Sequence, residues 1–359
     1  RIDFRQRLDN SVVTEGSRLV VLIAPEPGTP GVDVFGRAIP VAKPPKLRIR
    51  AGAGVHFDEA TNTLTATVVG RVRMAKGVLF VDQTYAIPGS VGLKTGHVSH
   101  PGAIDISKDV EPDSQVHADG GIHIGGAIEE SVVTAGGDVL VGHGIIGGDR
   151  AKVHAGGSIE AAFAERAELE AGNDIRIRRE LIQCMTHTNG SLLIPEGQII
   201  GGTASAIYGI DVAQAGSHGD VRTILITGVD PALQEMLAAR HAEARACHDQ
   251  IVQLSERIAP FKARQSTLTP MLRDKMDGFL AELEKVTAER DRIQHDIDRL
   301  TAESRERARA EIVIRRRVFP DTHLCIGHAK LIVAKEQEGP LVARLNDEGE
   351  VVLEPLGQQ

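Results

Sequence analysis

Five copies of one nine-residue pattern lie between residues 116 and 194, and a repeat that short restricts what the chain can fold into more than any single residue does. The copies are Val116–Ile124, Val133–Val141, Val153–Ala161, Leu169–Ile177 and Thr186–Ile194, at intervals of 17, 20, 16 and 17 residues. In each, two apolar or small positions spaced by two precede a Gly or Asn and two more follow it, as in Val153, Ala155, Gly157, Ile159 and Ala161. Alternation of period two is a strand that buries one face. So short a unit cannot bury that face alone, so successive copies must stack as coils of a β-solenoid, about 4.8 Å apart.

Stacking turns each inward position into a column, and the columns are chemically uniform. One holds Ala118, Ala135, Ala155, Ala171 and Thr188, all small, as a tight corner requires; another holds Ile122, Val139, Ile159, Ile175 and Leu192, all branched. Gly120, Gly137, Gly157, Asn173 and Gly190 fall at the bend, where positive φ is cheap for Gly and tolerable for Asn. The outward column His123, Leu140, Glu160, Arg176 and Leu193 is mixed, as a solvated face should be.

Past Asp230-Pro231 the apolar period changes. Leu233, Leu237, Ala244, Cys247, Ile251, Leu254, Ile258 and Phe261 form one run, and a second follows a break at Pro260–Pro270: Leu272, Met276, Phe279, Leu283, Val286, Ile293, Ile297 and Leu300, interrupted at Arg290. Spacings of three and four are the seam of an antiparallel coiled-coil hairpin with arms of roughly 40 to 60 Å. The competing reading, helices packed on the solenoid, needs a wider apolar face than this one. Strand patterns flank the hairpin: Ile312–Ile314, Leu331–Val333 and Val351–Leu353 after it, and β-rich segments with turns near Pro25–Gly31, Ala51–Gly54 and Asp58–Asn62 at the start. The expected organisation is an N-terminal β-rich domain over 1–92, a β-helix over 93–228, the hairpin over 229–311, and a C-terminal β segment over 312–359 that packs on or extends the β-helix.

Composition narrows function. Aromatic residues are 3% with no Trp, low for an ordinary globular enzyme and natural for Val/Ile/Ala ladders. A net charge of -8 lacks the basic stripe that nucleic acid requires. Cys184, Cys247 and Cys325 lie far apart without CxxC spacing, which points to a reducing compartment and to neither a disulfide framework nor a zinc site. No apolar run reaches the roughly 18 residues of a membrane span.

At this level a family resemblance becomes specific. In order come Gly28-Thr-Pro-Gly31-Val-Asp33-Val-Phe35-Gly36, Gly70-Arg-Val, Thr95-Gly96, the Ala-Gly-Gly coils, Gly201-Gly202-Thr-Ala-Ser-Ala-Ile207-Tyr-Gly-Ile210, Gly216-Ser217, Thr223 and Gly228-Val-Asp-Pro231. The series resembles the bacterial flagellar assembly protein A family over nearly the whole chain. His97 and Asp321 depart from its usual residues. The resemblance implies a mainly β protein with α, built on a right-handed single-stranded β-helix with a coiled-coil hairpin, cytoplasmic and tied to flagellar assembly or placement, with the cell pole or flagellar base as the narrower location. It supplies no catalytic residues.

Sites of other kinds meet physical objections. Gly142-His-Gly144-Ile-Ile-Gly147 matches a dinucleotide fingerprint, but it leads into another coil, reading as a wide turn, and lacks the helix N-terminus that would receive a pyrophosphate. His117, His154 and His187 share an outward column on alternate coils, about 9 to 10 Å apart, too far for one metal. A polysaccharide-cleaving β-helix needs clustered carboxylates, whereas Glu160 and Arg176 face each other as a cross-strand pair. The basic groups Arg176, Arg178 and Arg179, and Arg315–Arg317, read as solvated faces, with docking of an acidic partner as the functional alternative. No catalytic, cofactor or metal residue is therefore expected. The chain reads as a non-enzymatic scaffold or adaptor whose partners are other proteins, flagellar or polar-localisation factors. A self-assembling bactofilin-like scaffold, hence a homo-oligomer, is the alternative, and a polysaccharide-acting β-helix enzyme the second.

Overall fold

The structure, a computed structural model, describes residues 12–23, 26, 28–41, 49–219, 221–263, 269–307 and 309–357. The prolines of the first expected turn, Pro25 and Pro27, and positions 264–268 of the expected interhelical break lie outside the described residues. The chain divides into two compact units, Arg1–Thr188 and Asn189–Gln359.

The first unit opens with small β-sheets. One pairs Gly70–Ala75 with Val12–Val13 and Val78–Asp82, and Val78–Asp82 also with Arg50–Ala51; another places Thr63–Ala66 between Arg18–Val21 and Val55–Asp58. Between them the Val-Asp-Val-Phe-Gly stretch is a tight turn joining Gly31–Val32 to Ala38–Ile39. Asp33 Oδ1 accepts hydrogen bonds from the amides of Phe35 (2.9 Å) and Arg37 (2.8 Å), and Gly36 takes φ 74°. The motif is thus turn chemistry.

From Thr84–Ile87 onward the unit is a solenoid of parallel strands. Each coil has three walls, one more than the repeat alone reveals: Gln115–Ala118, Ile122–Ile124 and Ile128–Glu129 make one complete coil. The first wall stacks Val116, Val133, Val153, Leu169 and Thr186 in register, and the second stacks Ile122, Val139, Ile159 and Ile175. The third stacks Ile128, Ile145, Ala164 and Leu181. All these side chains are buried. The fifth repeat is divided between the units, Thr186 and Thr188 ending the first and Leu192 and Ile194 starting the second.

The bend glycines correct the expectation of positive φ. Gly120, Gly137, Gly157 and Gly190 are not among the residues with positive φ, and neither is Asn173. What the first bend needs is room. A Cβ on Gly136, Gly156 or Gly172 would stand 2.2, 2.3 or 2.1 Å from a carbonyl oxygen of the coil below, so the first residue of each Gly-Gly or Gly-Asn pair is glycine because backbone stacks on backbone. Left-handed backbone is concentrated at another corner, where Asp113, Glu130, Asp149, Arg166 and Gln183 take φ between 39° and 65°. The next inward residues there are Ser114, Ser131, Ala151, Ala167 and Cys184, all small and buried.

The second unit repeats the logic with different strands. Leu192, Ile210 and Ile312 form one buried column, Ile194, Val212 and Ile314 a second, and Ala204, Leu225 and Leu324 a third. The last coil, Glu311–Val318, does not stay open. Leu341–Leu345 pairs antiparallel with it, and Val351–Pro355 pairs antiparallel with that strand in turn.

Two helices, α1 (Pro231–Ala263) and α2 (Pro270–Arg307), are inserted between strands Thr223–Thr227 and Glu311–Val318. Each has Pro in its first turn, where the missing N–H costs nothing. Asp230 caps α1 through Oδ1, 2.9 Å from the Ala232 amide and 3.2 Å from that of Leu233. The helices pack on each other in opposite directions. The rings of Phe261 and Phe279 lie 6.2 Å apart at one end, and Arg307 pairs with Asp230 at the other. Leu254, Ile258, Met276, Ile293, Ile297 and Leu300 are buried along the seam. Two details differ from expectation. The first helix runs through Pro260 to Ala263, because a proline in the last turn removes only one backbone bond, and Leu272 is 40% exposed in the first turn of α2.

These packing arguments predict opposite effects from two small substitutions. Gly156→Ala forces a methyl group onto the Gly136 carbonyl and should cost about 1–3 kcal/mol. Thr186→Val removes a buried hydroxyl that has no hydrogen-bond partner among the described residues and should stabilise by about 1 kcal/mol. Urea midpoints moving the same way in both variants would refute the account.

Candidate functional site

The outer corner between the second and third walls of the first unit carries the most distinctive surface. Four successive coils contribute Ala127, then Gly142 and His143, then Ala162 and Phe163, then Arg178 and Arg179. Small residues keep the corner low, and the larger side chains, with Ile146, enclose a groove of about 550 Å³. Phe163 fits because Gly144, its register partner, has no side chain: a Cβ there would lie 2.4 Å from the ring.

The glycines of the apparent dinucleotide fingerprint are thereby explained individually. A Cβ on Gly142 would meet the Gly125 carbonyl at 2.4 Å, and one on Gly147 the Arg166 carbonyl at 1.8 Å. The segment is the third wall, beginning strand Gly144–Ala155, and not the wide turn expected from sequence. No helix starts there.

Charge at this corner differs from the rest of the first unit's solenoid. Arg150 meets Asp113 at 2.7 Å and also Glu130, Arg166 meets Glu165 at 3.3 Å, and Lys152 meets Glu168 at 2.5 Å. Arg176 meets Asp174 at 2.6 Å and Glu160 at 3.4 Å, the pairing expected of opposed residues on successive coils. Arg178 and Arg179 have different partners. Arg178 donates from Nη2 to the Gly142 carbonyl at 2.9 Å, and the Arg179 guanidinium lies over the Phe163 ring, 5.1 Å from its centroid. Among the described residues no carboxylate forms an ion pair with either guanidinium group.

The other sequence candidates are dispersed. The outward histidine column is in register as read: His117 bonds Asp119 at 3.2 Å, His154 meets Glu170 at 3.2 Å, and His187 is the next register partner of Glu170. Among the described residues no group of three or more His, Cys, Asp or Glu is placed to hold a metal ion. Arg315 is bonded by both oxygens of Asp211 at 2.6 Å, and Arg317 reaches Glu336 at 3.0 Å, which leaves Arg316 of that run. The cysteines are free thiols, and burial pushes Cys184 up to about 11.

A second feature escaped sequence reasoning altogether: the base of the hairpin. Asp230 accepts the α1 amides and also pairs with Arg307, which holds Glu303 at 2.6 Å. The Arg307 and Asp230 side chains are only 20% and 14% exposed. A cleft of about 420 Å³ beside them is lined by Tyr208, Glu303, Glu306 and Arg309. The signal was an aspartate before Pro231 and an arginine closing α2, 77 positions apart in numbering, which no local pattern links.

Comparison with known families decides membership. The Flagellar Assembly Protein A beta solenoid domain matches residues 83–351, and the Flagellar Assembly Protein A N-terminal region matches residues 1–77. The chain belongs to the Flagellar Assembly Protein A family. No curated protein and no solved structure matches it. For a Flagellar Assembly Protein A chain, a role related to flagellar assembly follows, and among the described residues no helix is long and apolar enough to cross a membrane.

Burial of Cys184 gives a pH dependence. The unfolded chain loses this thiol proton from its ordinary value of 9.0, while the folded chain retains it to about 11. The unfolded state therefore binds fewer protons between those values, and stability falls as pH rises, by up to about 1.4 kcal/mol per pH unit. Cys184→Ala should flatten the fall in urea midpoint between pH 9 and 10.5; an unchanged slope would place that thiol in contact with water.

Proposed function

We propose that this chain is a non-enzymatic adaptor in flagellar assembly or positioning, working in the cytoplasm by contact with other proteins. The observation that carries the reading is the hairpin. Among the described residues its two helices pack chiefly on each other, and most of their remaining positions are polar or charged and exposed. A helical pair that packs chiefly on itself yet is capped and paired at its base is suited to be a contact arm. Family membership supplies the process it serves.

The polymer alternative is less well supported. Stacking into filaments needs an open edge of parallel strand. In the second unit the last coil is covered by antiparallel strands, the outer one ending at Pro355 with Arg344 paired to Glu354 at 2.5 Å. In the first unit Arg71 lies over the ring of Tyr85, 4.3 Å from its centroid, so the N-terminal sheet meets the first coil.

In a flagellated host, deletion of the gene should impair motility or change flagellar number or placement. The variant Leu283→Pro, Ile293→Pro, which breaks α2 at about 3 kcal/mol or more per proline, should fail to restore the phenotype at normal abundance. Full motility in the deletion strain would end the flagellar reading, and full restoration by the variant would remove the hairpin from it.

A further inference from the structure

We infer that the Phe163 groove of the first unit is a docking site for an acidic, extended segment of a partner protein, with a carboxylate bound between Arg178 and Arg179 and an apolar side chain on Phe163 and Ile146. The inference rests on the reading of the chain as a contact protein and names the chemistry of one contact.

Three observations carry it. The first is charge. Every other arginine on this unit's solenoid is paired with a carboxylate, while these two, in a chain of net charge -8, are met among the described residues by a carbonyl and a ring. A guanidinium fixed by such partners keeps donors free for an incoming anion and loses little rotamer freedom on binding it. The second is placement. Consecutive strand residues face opposite ways, but Arg178 and Arg179 are both exposed because the chain turns there. Both side chains fold back over the groove, Arg178 to the Gly142 carbonyl two coils below and Arg179 to the Phe163 ring one coil below.

The third observation is dimension. The groove crosses four coils, about 14 Å at 4.8 Å per step, the length of about four extended residues at 3.3 Å each. Its floor is Ala127, Gly142 and Ala162, small and half-buried or exposed, and the aromatic ring stands beside the cations. A segment lying across the coils meets apolar surface from Ala127, Ile146, Ala162 and Phe163, and positive charge where the two guanidinium groups lie over the second and third coils. Its backbone runs across the strands, so side chains, not sheet hydrogen bonds, decide what binds.

A random dodecapeptide display library panned against the full chain tests this, with the Arg178→Ala, Arg179→Ala double variant panned in parallel. Sequences with Asp or Glu beside an apolar residue should be enriched on the parent. Synthetic peptides of the enriched sequence, followed by fluorescence anisotropy, should bind the double variant at least tenfold more weakly, lose affinity as salt is raised, and bind Phe163→Leu more weakly too. Arg316→Ala, an exposed arginine elsewhere, should bind like the parent. Melting temperatures within a few degrees of the parent qualify each variant. Absence of an acidic consensus, equal binding by the double variant, or an equal loss in Arg316→Ala would overturn the inference. So would vesicles containing phosphatidylglycerol that bind through Arg178 and Arg179 when no peptide does, since the surface would then serve a membrane. None of these results bears on whether the hairpin supports motility, so the two readings fail separately.

Discussion

The distance between coils governs everything else in this molecule. Parallel strands joined by backbone hydrogen bonds stack about 4.8 Å apart, and every group lying between coils must fit that spacing. Apolar columns fit by repeating one shape, so Ile122, Val139, Ile159 and Ile175 are interchangeable branched residues. The corner at Gly136, Gly156 and Gly172 fits by having no side chain at all, since each glycine sits over a carbonyl of the preceding coil. Phe163 fits only because Gly144 below it is bare, so the aromatic ring of the candidate groove depends on the same spacing.

A ladder of this kind tolerates large insertions where it turns. In the second unit, Gly209–Ala215 pairs with Glu311–Val318, and Thr223–Thr227 with Thr322–Ile326, although the whole hairpin intervenes. Register is kept by the columns, Ile210 on Ile312 and Leu225 on Leu324, and not by the connecting chain. The insertion needs its two ends held together, and Asp230 with Arg307 does this at the first and last turns of the helices. Exposed pairs of the solenoid wall contribute about 0–1 kcal/mol each; in this pair, largely withdrawn from water, removing either partner would leave a buried charge uncompensated.

The first two walls and the helical seam were legible because each is written in side chains: alternating Val, Ala and Ile for the walls, spacings of three and four for the seam. The third wall was not. Its inward residues Ile128, Ile145, Ala164 and Leu181 are flanked by Gly-Gly, Gly-Ile-Ile-Gly, Ala-Phe and Arg-Arg segments with no common pattern. The left-handed corner was also nearly silent, because of Asp113, Glu130, Asp149, Arg166 and Gln183 only the two aspartates are of a type that favours positive φ. Glycine at the bend was noticed at the second position of each pair for its dihedral freedom, whereas close contact between backbones falls on the first, at Gly136, Gly156 and Gly172. Of the candidate groove, the basic cluster was visible as three arginines, but which of them lack carboxylates depends on distances between coils. Arg176 and Arg178, two residues apart, differ in this respect because Glu160 lies one coil below the first, while the second reaches the Gly142 carbonyl.

That difference bears on what the wall is for. Exposed ion pairs add little stability, so pairing along the solenoid does little to hold it together. Its larger effect is to leave no concentrated charge over most of the surface, which weakens association with arbitrary charged partners. Against such a background, two adjacent unneutralised guanidinium groups beside an aromatic ring form a local exception whose field falls off within about 8 Å at physiological salt. Recognition confined to that range selects a partner by the position of its carboxylate along a short segment. Specificity in a contact of this kind comes from where the surface departs from neutrality.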